Sequence, residues 1–399
     1  MNEIFNIRIE FILFALTLTG IAIFHRHTMY VSLAGMLIIL LSKFILSDDF
    51  SLAEHFIGTS ADKGEWSTFV NLGGLLLGFA ILARYFEDSS LPERIPDILP
   101  SGWPGGLVLL LSIMVLSSFL DNIAAAMLGG TLAGVVYRGK VHPAYLASII
   151  AASNAGGAGS VIGDTTTTLM WIDGISPANL FPAFIGSAGA FLLFGFAGAY
   201  MQNIYLRKEA VNVVEFTPVP NPSSQKSNIS YKHLLIVILI IFGAILTNYL
   251  LSFPALGIWI IIILSSFFIK FPWYALKKSL TGTVFLLALV TSASLMPVEE
   301  LPEASGFTTL MLGILSSVFD NIPLTKLCLE QGGYNWALLA FAVGFGGSMI
   351  WFGSSAGVAL SNLYPVIRST GLYLKNSWHV IISYFIGFAM ILLFYMNGK

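Results

Sequence analysis

Apolar segments of membrane-spanning length recur from one end of the chain to the other. A helix needs about 17–25 mostly apolar residues to cross a bilayer. Only 10% of the residues are charged, against about 25% in a soluble domain. We therefore expect an all-α, polytopic membrane protein that lies in the lipid bilayer. The apolar runs are residues 9–24, 29–47, 66–86, 104–119, 123–137, 144–171, 178–206, 232–251, 255–269, 274–295, 304–319, 322–330, 336–364 and 378–396.

A polar segment rich in Pro, Ser and Asn divides these runs into two sets. It covers residues 207–231, and its composition is typical of a flexible linker. The sequence therefore predicts a first transmembrane half at residues 1–206 and a second half at residues 232–399.

The same short motif interrupts an apolar run in each half. The first copy, SSFLDNI, contains Asp121-Asn122, and the second, SSVFDNI, contains Asp320-Asn321. Asp and Asn are good helix N-caps, but a cap stabilises a helix by only about 1 kcal/mol. A charge at membrane depth costs roughly 2.5–3.5 kcal/mol. We therefore interpret the pairs as functional tips of re-entrant hairpins, at 121–122 and 320–321.

Glycine clusters interrupt a second pair of runs. GGAGSVIGD (156–164) lies inside the run 144–171, and GGSMIWFGS (346–354) lies inside the run 336–364. Because each glycine costs about 1 kcal/mol relative to alanine in a helix, both runs are predicted to be broken helices. Matching breaks in two halves are typical of a binding site near the bilayer midplane. The alternative, close glycine packing between helices, favours a small-xxx-small stripe instead of a cluster.

Both motifs occur in the same order in both halves, which indicates a repeat. If each hairpin returns to its side of entry, each half makes five crossings and the repeat is inverted. Fourteen of the 19 lysines and arginines then lie on the linker side and four on the other. Positive charge favours the cytoplasmic side, so we expect a cytoplasmic linker, both termini outside, and the cytoplasmic (inner) membrane as location. Hairpins that crossed fully would give the same sides.

The ionisable groups at membrane depth favour a cation as substrate. Asp121, Asp164 and Asp320 outnumber the single lysine, Lys326. An anion would meet helix N-termini that attract it, but also these carboxylates. Buried carboxylates that interact can hold a proton or a cation. The sequence therefore predicts exchange of a small inorganic cation for protons, with no cofactor.

Lys326 and the histidines leave alternatives open. Lys326 lies six residues after Asp320 and could be an internal counter-ion for a carboxylate. It could equally pair with Glu330 at i, i+4 or extend to the interface. The six histidines fall in loops or at span ends, where we expect them to be solvated.

At these motifs the chain resembles the ion transporter superfamily of the citrate transporter-like fold. It is most similar there to the NhaD-type sodium/proton antiporters. The resemblance implies a homodimer with a scaffold region and a mobile transport region, and an elevator-like alternating access that exchanges sodium, or lithium, for protons. It also implies a cation and proton site built from tip and break residues: Asp121, Asn122, Asn154, Ser160, Asp164, Thr165, Asp320, Asn321, Ser348, Ser354 and Ser355.

Two departures from the family pattern matter. The dicarboxylate carriers place Ser-Asn-Thr at their tips, whereas this chain has Asp-Asn, which disfavours a carboxylate substrate. The second break has Ser354 where the first has Asp164, so the two half-sites are not equivalent.

Two other functions compete with the cation exchanger. An ion-coupled carrier of citrate, dicarboxylate or arsenite would need positive groups at the site. An intramembrane aspartyl protease would not need the whole motif set twice. We expect no enzyme activity and no nucleic-acid partner. No Cys/His spacing suggests a transition-metal site, and the sequence shows no nucleotide-binding loop, which disfavours transport driven by ATP.

Overall fold

The structure, a computed structural model, describes residues 3–4, 7–24, 27–46, 50–58, 64–91, 94, 99–211 and 228–397. Helices form nearly all of this part of the chain, beside one antiparallel pair of two-residue strands, β1 (Glu3–Ile4) and β2 (Ile7–Arg8). The helices are α1 (Ile9–Ile23), α2 (Thr28–Leu46), α3 (Leu52–Ile57), α4 (Trp66–Asp88), α5 (Trp103–Ser117), α6 (Asn122–Val136), α7 (Pro143–Gly157), α8 (Thr165–Ile172), α9 (Pro177–Leu180), α10 (Ala183–Val211), α11 (Tyr231–Leu251), α12 (Pro254–Ser265), α13 (Trp273–Ser294), α14 (Gly306–Ser316), α15 (Asn321–Gln331), α16 (Trp336–Gly346), α17 (Ser355–Leu363), α18 (Thr370–Asn376) and α19 (Trp378–Asn397).

Six segments in the described ranges are long and apolar enough to cross a membrane. They are Thr28–Ile45, Trp66–Asp88, Pro177–Lys208, Tyr231–Leu251, Trp273–Ser294 and Trp378–Met396. Shorter apolar helices such as α5, α6, α14 and α16 lie between them. The predicted multi-pass helical membrane architecture is confirmed at this level.

The helices pack into two groups. We call α1–α4 and α11–α13 the frame group, because α4 packs on α11, α12 and α13, and α2 packs on α1 and α13. We call α5–α10 and α14–α19 the hairpin group, in which α7 contacts α5, α6, α10, α16 and α17. The main contacts between the groups are those of α15 with α13 and of α8 with α4.

Matching loops precede α6 and α15, and each ends in an aspartate. Residues 118–121 join α5 to α6, and residues 317–320 join α14 to α15. The Asp121 carboxylate accepts a hydrogen bond from the Ile123 amide at 3.2 Å, and the Asp320 carboxylate accepts one from the Ile322 amide at 3.1 Å. The predicted N-caps are therefore present, and they fix where both helices begin.

The glycine clusters coincide with two interruptions of helix. α7 ends at Gly157 and α8 begins at Thr165, while α16 ends at Gly346 and α17 begins at Ser355. A Cβ atom on Gly156 would collide with the carbonyl oxygen of Met114, and one on Gly346 would collide with that of Gly313. The glycines therefore allow the backbone of α7 and α16 to touch α5 and α14.

The first residues of the predicted linker are helical. α10 continues to Val211, so residues 207–211 are helix and not linker, and α11 begins at Tyr231. Residues 212–227 lie outside the described residues.

Candidate functional site

A buried carboxylate lies where the first loop tip meets the first helix break. Asp164 precedes α8 and its exposed fraction is 2%. The Asn122 side-chain amide, at the start of α6, donates to Asp164 Oδ1 at 3.3 Å and to Asn154 Oδ1 at 3.2 Å. The α6 start, α7 and the segment before α8 thus converge on one carboxylate.

The same network reaches the second helix break. Asn154 Nδ2 donates to Ser348 Oγ at 2.9 Å, and the Ser348 carbonyl accepts a hydrogen bond from Tyr373 at 2.8 Å. Gly344 also lies against Asp164, because a Cβ atom there would approach Oδ2 to 3.2 Å. Residues from both halves of the chain therefore form one polar centre.

The second loop tip makes a different set of contacts. Ser355 Oγ donates to the Asp320 carboxylate at 3.4 Å, and Ser354 Oγ accepts from the Gly357 amide at 3.3 Å, which caps α17. Asn321 is buried as the first residue of α15, the position that Asn122 occupies in α6. Where Asp164 presents a carboxylate, Ser354 uses its hydroxyl to hold its own helix.

A cavity of about 280 Å³ opens beside this second tip. It lies between α1, α13 and α17, and Asp320 and Ser355 form part of its wall. Thr28 and Asn362 also line it, and the rest of the wall is mainly apolar. Asp320 is therefore reachable by a small solute in this conformation.

The predicted hydroxyls of the first break have separate roles. Ser160 Oγ donates to the Ser118 carbonyl at 2.5 Å, so it holds the break against the first tip. Thr165 is half-buried as the first residue of α8. Within the described residues, its hydroxyl takes no part in the hydrogen bonds that join Asn122 to Asn154 and Asp164.

Thr166 is a candidate that the sequence did not single out. Its Oγ1 is buried and lies close to the Asp164 carboxylate, but it forms no hydrogen bond of good geometry within the described ranges. The hydroxyls of Thr167 and Thr168 instead donate to the Asp164 carbonyl at 2.9 and 2.8 Å. A run of four threonines gives no sign of which hydroxyl stays unbonded, since this depends on where α8 begins.

Within the described residues, Lys326 forms ion pairs with two glutamates and with neither tip aspartate. Its Nζ contacts Glu65 Oε1 at 2.9 Å and Glu330 Oε1 at 2.5 Å, and the exposed fraction of its side chain is 1%. The spacing to Glu330 suggested one of these pairs. The contact with Glu65, 261 positions away, had no signal in the sequence.

His379 differs most clearly from the prediction that the histidines are solvated. His379 is fully buried, and its Nε2 lies 2.9 Å from Ser148 Oγ on α7. It follows the first residue of α19, so its position at a helix end suggested exposure. Packing of α19 against α10 and α16 covers it instead.

Comparison with known proteins identifies a family. A model of the family described as citrate transporter (CitMHS) matches residues 7–346. Sodium/proton antiporter 2 of Arabidopsis thaliana is 25% identical over 326 residues, which cover 73% of this chain and 77% of that protein. Sodium/proton antiporter 1 of the same plant is 27% identical over 292 residues, which cover 63% of this chain and only 49% of that protein.

A bacterial relative gives a similar result. The Na(+)/H(+) antiporter NhaD of Vibrio parahaemolyticus is 25% identical over 305 residues, which cover 62% of this chain and 70% of that protein. The family match spans most of the chain and includes both loop tips and the first break. The chain therefore belongs to the citrate transporter family, and it is a multi-pass membrane transporter.

Proposed function

We propose that this protein exchanges sodium, or lithium, for protons by alternating access in the cytoplasmic membrane. The observation that carries the proposal is the environment of Asp164. The Asn122 amide donates to its carboxylate, Gly344 lies against it, and the polar network continues from Asn122 through Asn154 to Ser348. Within the described residues, no lysine or arginine forms an ion pair with Asp121, Asp164 or Asp320.

A buried carboxylate without a positive partner must be neutralised. Burying an isolated charge is costly, so such a group either takes up a proton or holds a cation. The oxygens near Asp164 that could complete a sodium site are Asn154 Oδ1, the unbonded Thr166 hydroxyl and backbone carbonyls of the breaks. Hard oxygen ligands of this kind suit an alkali cation. Because proton and cation would compete for one carboxylate, exchange follows.

The helix lengths support re-entrant hairpins. α5 and α6 have 15 residues each, which at 1.5 Å per residue span about 22 Å. The hydrocarbon core is about 30 Å thick. α14 and α15, with 11 residues each, are shorter still. Helix pairs of this length are better suited to entering and leaving on one side than to crossing.

Matching hydrogen bonds support a structural repeat, which the predicted five crossings per half would make an inverted one. Ser117 Oγ donates to the Ser153 carbonyl at 2.5 Å, and Ser316 Oγ donates to the Val343 carbonyl at 2.6 Å. Each donor lies four residues before its tip aspartate, and the two acceptors lie at equivalent positions before the glycine clusters. The positive charge on the linker side is consistent with a cytoplasmic linker and outside termini.

The cavity supports alternating access. It extends from Asp320 towards Thr28 and Asn362, both of which lie near the side that we assign to the cytoplasm. The second tip would then face inwards in this conformation. Exchange requires that the same tips open to the other side in a second conformation.

The family description raises a citrate carrier as a second candidate. A cavity of about 280 Å³ has room for more than a bare cation. However, its ionisable wall residue is Asp320, which repels an anion. The names of the compared antiporters favour the cation.

Proteoliposomes with an imposed pH gradient and a pH-sensitive dye test the proposal. NaCl, LiCl, KCl and choline citrate are added in turn to wild type, Asp121→Asn, Asp164→Asn and the control Asp173→Asn. Asp173 directly follows α8 and is exposed. We expect sodium or lithium to collapse the gradient in wild type and the control only. Citrate uptake with no response to any cation would overturn the proposal.

A further inference from the structure

A buried ion pair joins the two helix groups on the side opposite the linker. Lys326 belongs to α15 of the hairpin group, while Glu65 immediately precedes α4 of the frame group. Their charged atoms lie 2.9 Å apart, and the exposed fractions of the two side chains are 1% and 17%. Glu330, the other partner of Lys326, lies on α15 itself.

Glu65 is anchored to the frame group by its backbone. Its amide donates to the His55 carbonyl at 3.1 Å, and its carbonyl accepts from Phe69 within α4 at 3.0 Å. His55 Nε2 in turn lies 3.0 Å from Ser294 Oγ at the end of α13. The Glu65 carboxylate therefore cannot follow α15 if the hairpin group shifts along α4 and α13.

Lys326 is correspondingly anchored to the hairpin group. It lies on the same helix as the tip residue Asn321, 1.4 turns away, and neighbouring residues Leu324 and Cys328 are buried. Glu65 Oε2 is buried and has no hydrogen bond within the described residues, so Lys326 is the main compensation for this carboxylate.

We propose that the Glu65–Lys326 ion pair is a latch that holds the hairpin group against the frame group in this conformation and must open in each transport cycle. This inference rests on the alternating access proposed above. The Lys326–Glu330 contact would move as a unit with α15. It supplies an internal control, because it has the same chemistry but joins no moving parts.

Reversible cross-linking tests the latch. In a Cys328→Ala background, which removes the one cysteine of the chain, we compare Glu65→Cys/Lys326→Cys with Lys326→Cys/Glu330→Cys. Both variants lose Lys326 and one carboxylate. Each is treated with a short bis-methanethiosulfonate in proteoliposomes, and a mass shift verifies the cross-link.

We expect the cross-link between residues 65 and 326 to reduce exchange at least tenfold and a reductant to restore it. The cross-link between residues 326 and 330 should leave the rate within twofold. Full exchange with residues 65 and 326 linked would overturn the latch. Absence of exchange in untreated wild type would instead count against the antiport function.

A second measurement does not depend on transport. Spin labels at Trp66→Cys on α4 and Phe307→Cys on α14, side chains that are 52% and 70% exposed, report the distance between the groups by pulsed electron paramagnetic resonance. Glu65→Gln should add a second distance population, whereas Glu330→Gln should not. Identical distributions in wild type and Glu65→Gln would also overturn the latch.

Discussion

The Asn122 side-chain amide donates a hydrogen bond to the Asp164 carboxylate across 3.3 Å. This bond links the loop tip that begins α6 to the break that precedes α8. A hydrogen bond to a charged group contributes about 1.5–3 kcal/mol. It therefore orients the carboxylate oxygen that it leaves unoccupied, Oδ2, towards Gly344 and the second half of the chain.

Replacing Asn122 should weaken sodium binding. We expect Asn122→Ala to raise the KM for sodium about tenfold. The variant loses the hydrogen bond that orients the carboxylate, and a loss of about 1.4 kcal/mol of binding free energy corresponds to that factor. Exchange rates in proteoliposomes at varied sodium provide the measurement. Asn376→Ala serves as control, since within the described residues that half-buried amide bonds the Leu372 carbonyl of its own helix and no site residue. An unchanged KM in Asn122→Ala would mean that this hydrogen bond does not contribute to sodium binding.

The threonines of α8 offer a test of which hydroxyl serves the ion. Thr166→Val should raise the KM for sodium several-fold and leave the melting temperature unchanged, because Thr166 Oγ1 has no hydrogen bond in the described residues to lose. Thr168→Val should lower the melting temperature, because its hydroxyl donates to the Val161 and Asp164 carbonyls. A stable Thr166→Val protein with wild-type KM would remove Thr166 from the site.

The close contacts at the breaks should be sensitive to a single methyl group. Gly156→Ala and Gly346→Ala each place a Cβ against a carbonyl oxygen, and overpacking of this kind costs about 1–3 kcal/mol. We expect lower melting temperatures for both in detergent. Gly282→Ala on α13 meets nothing within 4 Å and should be neutral or stabilising. Equal melting of all three would mean that the backbones are not in contact.

The pH dependence of stability should involve His55. Burial lowers the pKa of His55 below its ordinary value of 6.5, with Glu65 acting in the opposite direction. The folded state thus binds protons less well than the unfolded state, so stability falls as the pH decreases through 6.5 and below. His55→Gln should flatten the decline in melting temperature between pH 7 and pH 5. If the melting temperature of His55→Gln declines as steeply as that of wild type, other groups cause the decline.

The features that could be predicted from the sequence depend on residues that are close together along the chain. Apolar runs fix the helices, Asp121 and Asp320 cap the helices that follow them, and the glycine clusters coincide with the ends of α7 and α16. These signals are local, since capping and helix propensity act within a few residues.

The remaining contacts depend on tertiary packing. Lys326 meets Glu65 across 261 positions, and the burial of His379 beside Ser148 depends on how α19 packs. Ser160 was predicted as a site residue, but which partner its hydroxyl selects depends on the approach of residue 118. No pattern along the chain encodes these distances.

Proton release on sodium binding tests competition at Asp164 most directly. Sodium is added to purified protein in weakly buffered detergent near neutral pH, and a pH dye follows the protons. We predict release from wild type, none from Asp164→Asn, and weaker sodium affinity at lower pH. Sodium binding to wild type with no proton release, and with an affinity independent of pH, would contradict exchange at a shared carboxylate.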